Sequence, residues 1–180
     1  MRRKDREVTD PLLIEAILEQ FNTANLGLYD DDFPYVVPVN YGFEMKNDKI
    51  FFYLHCAKQG KKIDLIKKNP KVCLTMSMFN DFPDHMYKNY RHDYRSVIAR
   101  GHAKLIDASE DYETFQHGYN LLYTCNNREI VPLESRKVIP NIYICQIECD
   151  MKDVTAKSEF PLKTKEDVPF IDVYHIEDEK

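Results

Sequence analysis

Apolar residues recur along this chain with two periods, and the periods divide it into elements. Leu13, Ile14, Ile17, Leu18 and Phe21 fall at helical spacing, and a stripe of that kind predicts an amphipathic helix. It opens at Thr9-Asp10-Pro11, where Thr or Asp can cap and Pro suits the first turn, and it ends between Asn22 and Asn25. A period of two then takes over. Leu26 to Tyr29 reads as a short strand, Asp30 to Asp32 as a turn, and Phe33 to Met45 as one long strand. Pro34 and Pro38 put that strand at a sheet edge or a bulge. Lys46 to Lys49 reads as a second turn and Ile50 to His55 as a third strand. Together these predict an antiparallel meander with short connections.

Gly60 to Lys68 is a short basic helix ended by Asn69-Pro70. Val72 to Phe79 is strand-like, Asp81 to Asp93 a polar and aromatic loop, and Tyr94 to Ile106 a strand. Ser109 to Tyr123 reads as a helix, with Ser109 as its cap and Tyr112, Phe115, Tyr119 and Leu122 on one side. Ile139 to Val154 is a final long strand. Isolated helices among strands predict a mainly β chain with flanking helices packed on a barrel, not a βαβ sheet. Residues 1–158 form the predicted domain. Residues 159–180 form an acidic extension, yet Phe160, Phe170, Ile171, Val173, Tyr174 and Ile176 make it too apolar for disorder. It is expected to lie on the barrel or on a partner subunit.

At 180 residues one domain is the default. Apolar residues make up 43% and charged residues 31%, a soluble globular profile. Nothing in the formal charge of −5 suggests a nucleic-acid footprint, which would need a clustered basic face, so nucleic acid is not an expected partner. No stretch approaches the roughly 18 apolar residues that span a bilayer. Met1 to Asp5 is basic but runs into a polar segment, unlike a secretory signal. The expected location is cytoplasmic. The five cysteines include no CxxC pair, which argues against a disulfide framework and a zinc site. Cys145 and Cys149 would sit about 13 Å apart along a strand, too far to share an ion. Buried reduced thiols are the expectation.

The run His55-Cys56-Ala57-Lys58-Gln59-Gly60-Lys61-Lys62 leaves a strand, crosses one glycine and enters a helix. Backbone N–H groups at a helix N-terminus favour an anion, and Lys58, Lys61 and Lys62 add positive charge. The chemistry suits a phosphate, although a solvated basic helix start would read the same way. GxGxxG and GxxxxGK[ST] are both missing, which disfavours Rossmann and P-loop readings.

Five pieces in order resemble the pyridoxamine 5′-phosphate oxidase-like flavoproteins, and within them the nitroimidazole-resistance (nitroimidazole reductase) group. They are Arg2-Arg3-Lys4-Asp5-Arg6 before a capped helix, the strand Pro34 to Tyr41, and Leu54 to Lys62, which is similar to the family's "F-H-S-A-x-x-G-x-K". Tyr94-Arg95-Ser96-Val97 with Gly101-His102-Ala103 resembles the strand that follows, and Val154 to Lys157 the closing "T-G-K". The resemblance implies an FMN-binding split β-barrel working as a homodimer, with the flavin between subunits. It implies that Lys61 and Lys62 hold the FMN phosphate. His55, Cys56 and Ala57 would line the site, and Val39, Asn40 and Tyr41 would offer backbone groups to the isoalloxazine ring. Ser96 would reach the flavin, with the dimer interface as one route. His55 is the residue implied to lie against flavin and substrate, and is the catalytic candidate. Two positions depart from the pattern. Cys56 replaces Ser with a poorer hydrogen-bond donor, and Ala156 replaces the Gly of a tight turn.

The expected function is therefore FMN-dependent reduction of a small electron-poor substrate such as a 5-nitroimidazole. A flavin-binding protein without turnover is the first alternative. Haem binding, with His55, His92 or His102 as axial ligand, is the second. Pyridoxine-phosphate oxidation is disfavoured, because that enzyme's substrate-binding residues find no match. The segment Phe82 to Tyr87 is a candidate lid or pocket wall.

Overall fold

Strand pairing, more than strand length, sets the architecture. The computed structural model describes residues 2–81, 92–126, 128–130, 132–133 and 139–169. The segment Phe82 to Tyr87, with His85, lies outside the described residues, as do Phe170, Ile171, Val173, Tyr174 and Ile176. Two compact units divide the chain. One holds Met1–Phe21, Met76–Val97 and Thr155–Lys180, the other Asn22–Thr75 and Ile98–Val154.

In the first unit, β1 (Glu7–Val8) pairs antiparallel with β9 (Val154–Ser158), Val8 opposite Ala156. Helix α1 (Pro11–Glu19) is capped by Asp10, whose Oδ1 accepts from the Leu12 N–H at 2.9 Å. Leu13, Ile14, Ala16, Ile17 and Leu18 are buried, as the stripe requires. The helix stops earlier than the periodicity predicts. The Gln20 and Phe21 N–H groups turn back onto Ile17 and Leu18 carbonyls, and the next strand starts at Thr23. Arg6 pairs with Glu159 at 2.6 Å and donates to the Tyr94 hydroxyl at 3.1 Å. Lys165 reaches Glu15 at 3.3 Å, the Arg95 guanidinium donates to the Asp167 carbonyl at 3.3 Å, and Val168 is fully buried. Residues 159–169 are thus anchored within this unit.

The second unit holds β2 (Thr23–Leu28), β3 (Tyr35–Asn40), β4 (Gly42–Lys46), β5 (Lys49–Ala57), α2 (Lys61–Lys68), α3 (Tyr112–Thr124) and β8 (Ile142–Asp150). The long strands β6 (Lys71–Asp81) and β7 (His92–Ile106) contribute to both units. The strand order is β3-β2-β6-β7-β8-β5-β4. The proline-bearing β3 sits at one end, in keeping with Pro38 within it. Among the described residues the fold is mainly β and antiparallel with flanking helices, as expected.

Three predicted elements are corrected. The stretch from Phe33 to Met45 is two strands that lie at opposite ends of the order, so the region is no simple meander. The break falls at Tyr41, whose ring is buried 5.6 Å from Phe52 and whose carbonyl accepts from Asn126 at 3.0 Å. Next to it Gly42 meets the backbone of α3: a Cβ there would lie 2.5 Å from Leu121 C and O. The stretch from Ile139 to Val154 is also divided, by 3-10 turns at Ile139–Asn141 and Met151–Asp153. The second turn is held by the Met151 N–H on the Asp48 carbonyl at 3.0 Å. Helix α3 begins after Asp111, which accepts from the Thr114 N–H at 3.1 Å. Ser109 does not cap it, because its N–H and hydroxyl both turn onto Asp107.

The Lys46–Lys49 turn is as predicted. Asn47 and Asp48 take positive φ of 53° and 58°, the geometry of a two-residue hairpin. Cys56, Cys145 and Cys149 are buried and all five thiols are free. Burial pushes Cys145 and Cys149 up to about 12. No helix of the described residues is long and apolar enough to cross a membrane.

Candidate functional site

Strand alternation decides which residues of β5 face the candidate site. His55 and Ala57 are exposed on one face, while Cys56 points to the other and is buried. The Cys56 thiol lies 3.8 Å from the Tyr143 carbonyl. The expected row of three neighbours is thus split between two faces. After β5 the Lys58 N–H bonds to the Asn141 carbonyl at 3.2 Å. Gly60 then turns at φ +117°, a region that L side chains rarely adopt. Its carbonyl accepts from Ile63 and Asp64, and no side chain caps α2. Among the described residues the first amides of α2 thus carry the helix's partial positive charge without a side-chain cap.

The three lysines of this turn have three different environments. Lys58 pairs with Asp107 and stands 5.3 Å over the Tyr143 ring. That bond, with Ser109, holds the Asp107 carboxyl down to about 2. Lys61 is exposed, 2.5 Å from Asp30 and 5.4 Å from the Tyr35 ring centre. Lys62 is half-buried, with no ion-pair partner among the described residues. Its charge acts on His55.

His55 opens onto a cavity of about 190 Å³ lined by Asn40, His55, Tyr119, Leu122, Tyr123, Asn126, Arg128 and Ile142. Packing around the His55 ring, followed by the charges of Lys62 and Arg128, holds its pKa below the usual 6.5. The shift favours the neutral imidazole at pH 7. Folded His55 gives up its proton at a lower pH than the unfolded chain does. Between the two pKa values the unfolded state holds more protons, so stability falls as pH falls through the window just below 6.5. Thermal melts should show wild type losing more stability on acidification than His55→Gln. Equal losses would contradict the shift.

Of the other expected residues, Asn40 is exposed at the cavity, its amide donating to the Asn22 carbonyl at 2.9 Å. Val39 is half-buried on the terminal strand β3, one edge of which is not used by β2. Tyr41 is buried with its carbonyl taken by Asn126. Ser96 is half-buried on β7 in the other unit. Sequence reasoning missed the far wall of the cavity. Tyr119 and Leu122 read as a helix's core stripe, and in part they are: both belong to a cluster with Tyr53, Phe115 and Ile144. Asn126 and Arg128 follow the helix and carry no pattern.

A larger hollow of about 950 Å³ in the same unit includes Gly27, Cys73, His102, Lys104, Gln146 and Glu148. Among the described residues it contains none of those expected to hold a flavin, although His102, one of the alternative axial haem ligands, lines it. Its rim carries charges of both signs, with Arg100 paired to Asp153 at 3.2 Å, so it offers no convergent charge for a phosphate.

A family model described as pyridoxamine 5′-phosphate oxidase matches residues 11–156. No curated protein matches. Among solved structures, a candidate 5-nitroimidazole antibiotic resistance protein from Bacteroides thetaiotaomicron is 27% identical, with a TM-score of 0.70, over 84% of this chain and 86% of that one. The flavocytochrome Anf3 from Azotobacter vinelandii is 21% identical, with a TM-score of 0.62, over 93% and 76%. An FAD and heme binding protein from Mycobacterium smegmatis is 12% identical, with a TM-score of 0.64, over 91% and 78%. The last two likenesses are of fold alone.

Proposed function

The chain belongs to the pyridoxamine 5′-phosphate oxidase family, with its split-barrel fold, and from that premise we propose that it is an FMN-binding reductase of small electron-poor substrates such as 5-nitroimidazoles. The observation that carries the reading is the turn from β5 into α2. It joins an uncapped helix N-terminus to an uncommitted Lys62, beside the cavity that His55 faces. That donor set fits a phosphate monoester. Lys62 and the first α2 amides would hold the phosphate, with Lys61 at the periphery. The free edge of β3 at Val39 and Asn40 would offer backbone groups to the ring.

FMN, when bound, supplies the redox chemistry. The chain's part is to hold and orient. A neutral His55 donates one N–H to a substrate oxygen without adding a charge. The assembly we propose is a cytoplasmic homodimer with flavin between subunits and Ser96 reaching it there. Exposed Tyr29, Phe33 and Val36 on and between β2 and β3 supply apolar surface for such a contact.

The test is an absorbance and fluorescence titration of the purified chain with FMN, followed by anaerobic reoxidation of the reduced protein by a 5-nitroimidazole. Saturable uptake and substrate-dependent reoxidation are expected. Uptake without reoxidation would leave a flavin-binding protein. No uptake, with a Soret band on adding haem, would replace the cofactor.

A further inference from the structure

The cavity beside His55 has a chemistry of its own. Among the described residues none of its lining side chains is acidic. Arg128 stands exposed at it, and among the described residues no carboxylate pairs with that guanidinium. The walls are flat and largely apolar. The Tyr119 and Tyr123 rings lie 4.9 Å apart, hydroxyl to hydroxyl at 3.1 Å, with Leu122 and Ile142 completing the surface. The volume of about 190 Å³ equals roughly six waters at about 30 Å³ each. That is below the roughly 300 Å³ at which cofactor-sized pockets begin. A tricyclic ring does not fit inside, whereas one six-membered ring with a substituent does.

We propose that this cavity is a subsite for a small planar carboxylate of one ring, with Arg128 holding the carboxylate and the two mutually packed tyrosines forming one wall beside the ring. A guanidinium matches a carboxylate with two parallel hydrogen bonds, which also fixes the plane of the ligand. His55, which lines the same cavity, can add a third donor. A phosphate or a chloride would leave the aromatic walls unused. The name "substrate subsite" rests on the flavoprotein reading above; the binding itself does not.

Benzoate is the probe, titrated calorimetrically into the full chain with and without FMN. Benzamide, of the same shape but uncharged, serves as comparison. Benzoate should bind at least about tenfold more tightly than benzamide. Arg128→Gln should remove that preference, and Arg128→Lys should restore part of it. Arg128 is exposed, so an unchanged thermal midpoint is expected and verifies folding. Equal benzoate affinity in wild type and Arg128→Gln overturns the proposal, as does mutual exclusion of benzoate and FMN. The two readings fail separately. Arg128-dependent benzoate binding without FMN uptake keeps the subsite and removes the flavin. FMN uptake with benzoate binding indifferent to Arg128 does the reverse.

Discussion

Replacing Lys62 by glutamine is expected to weaken FMN binding about ten- to a hundredfold, the range of a charge-assisted hydrogen bond in a partly dry site. Replacing Lys61 should change it by no more than about threefold, as befits an exposed, screened charge. The two lysines are neighbours in sequence, and their difference comes from the fold. Lys61 spends its charge on Asp30, whose carboxyl it holds below the usual range, and on the face of Tyr35. Lys62 is half-buried without an acid among the described residues, close enough for its charge to add to the burial that lowers the His55 pKa and to oppose the burial that raises that of Cys56. A phosphate at the start of α2 would meet a charge that no carboxylate among the described residues neutralises. Fluorescence titrations of both variants decide the matter. If Lys61 proves the more sensitive position, the phosphate lies on the Asp30 side of the turn and the proposed site is misplaced.

Gly42→Ala is expected to lower stability by about 1–3 kcal/mol, the usual range for overpacking, or more. For a chain of this size that is a fall in thermal midpoint of about 3–10 °C. The added Cβ would stand 2.5 Å from Leu121 C and O and 2.7 Å from Leu122 N, all backbone atoms of α3. A helix backbone cannot rotate aside as a side chain can, so β4 and α3 would have to separate. The consequence reaches the site. The Asn126 amide bridges the Tyr41 and Leu122 carbonyls at 3.0 and 2.8 Å, and Tyr119, Tyr123 and Arg128 share the cavity with His55. Urea unfolding and a thermal melt measure the cost. An unchanged melt would mean that α3 is not seated on Gly42 as described.

The sequence by itself determined the class of fold, because apolar periods of 2 and 3.6 are written locally. It also located α1 with its Asp10 cap, the hairpin turn at Asn47-Asp48, and the passage from β5 through Gly60 into α2. The family resemblance rests on that same local order, and the match over residues 11–156 agrees with it. Where an alternating pattern ran straight through a turn, as at Tyr41 and at Met151, it could not reveal the break. Those breaks are made by distant partners, Asn126 for the Tyr41 carbonyl and Asp48 for the Met151 N–H. Only the tertiary structure decided which lysine stays uncommitted, because Asp30 and Asp107 lie 31 and 49 residues from the lysines they bind. It alone placed Arg128 and the two tyrosines across from His55. Side chains that meet in space through different elements share no period along the chain, and pairing of charges across such distances is settled by packing.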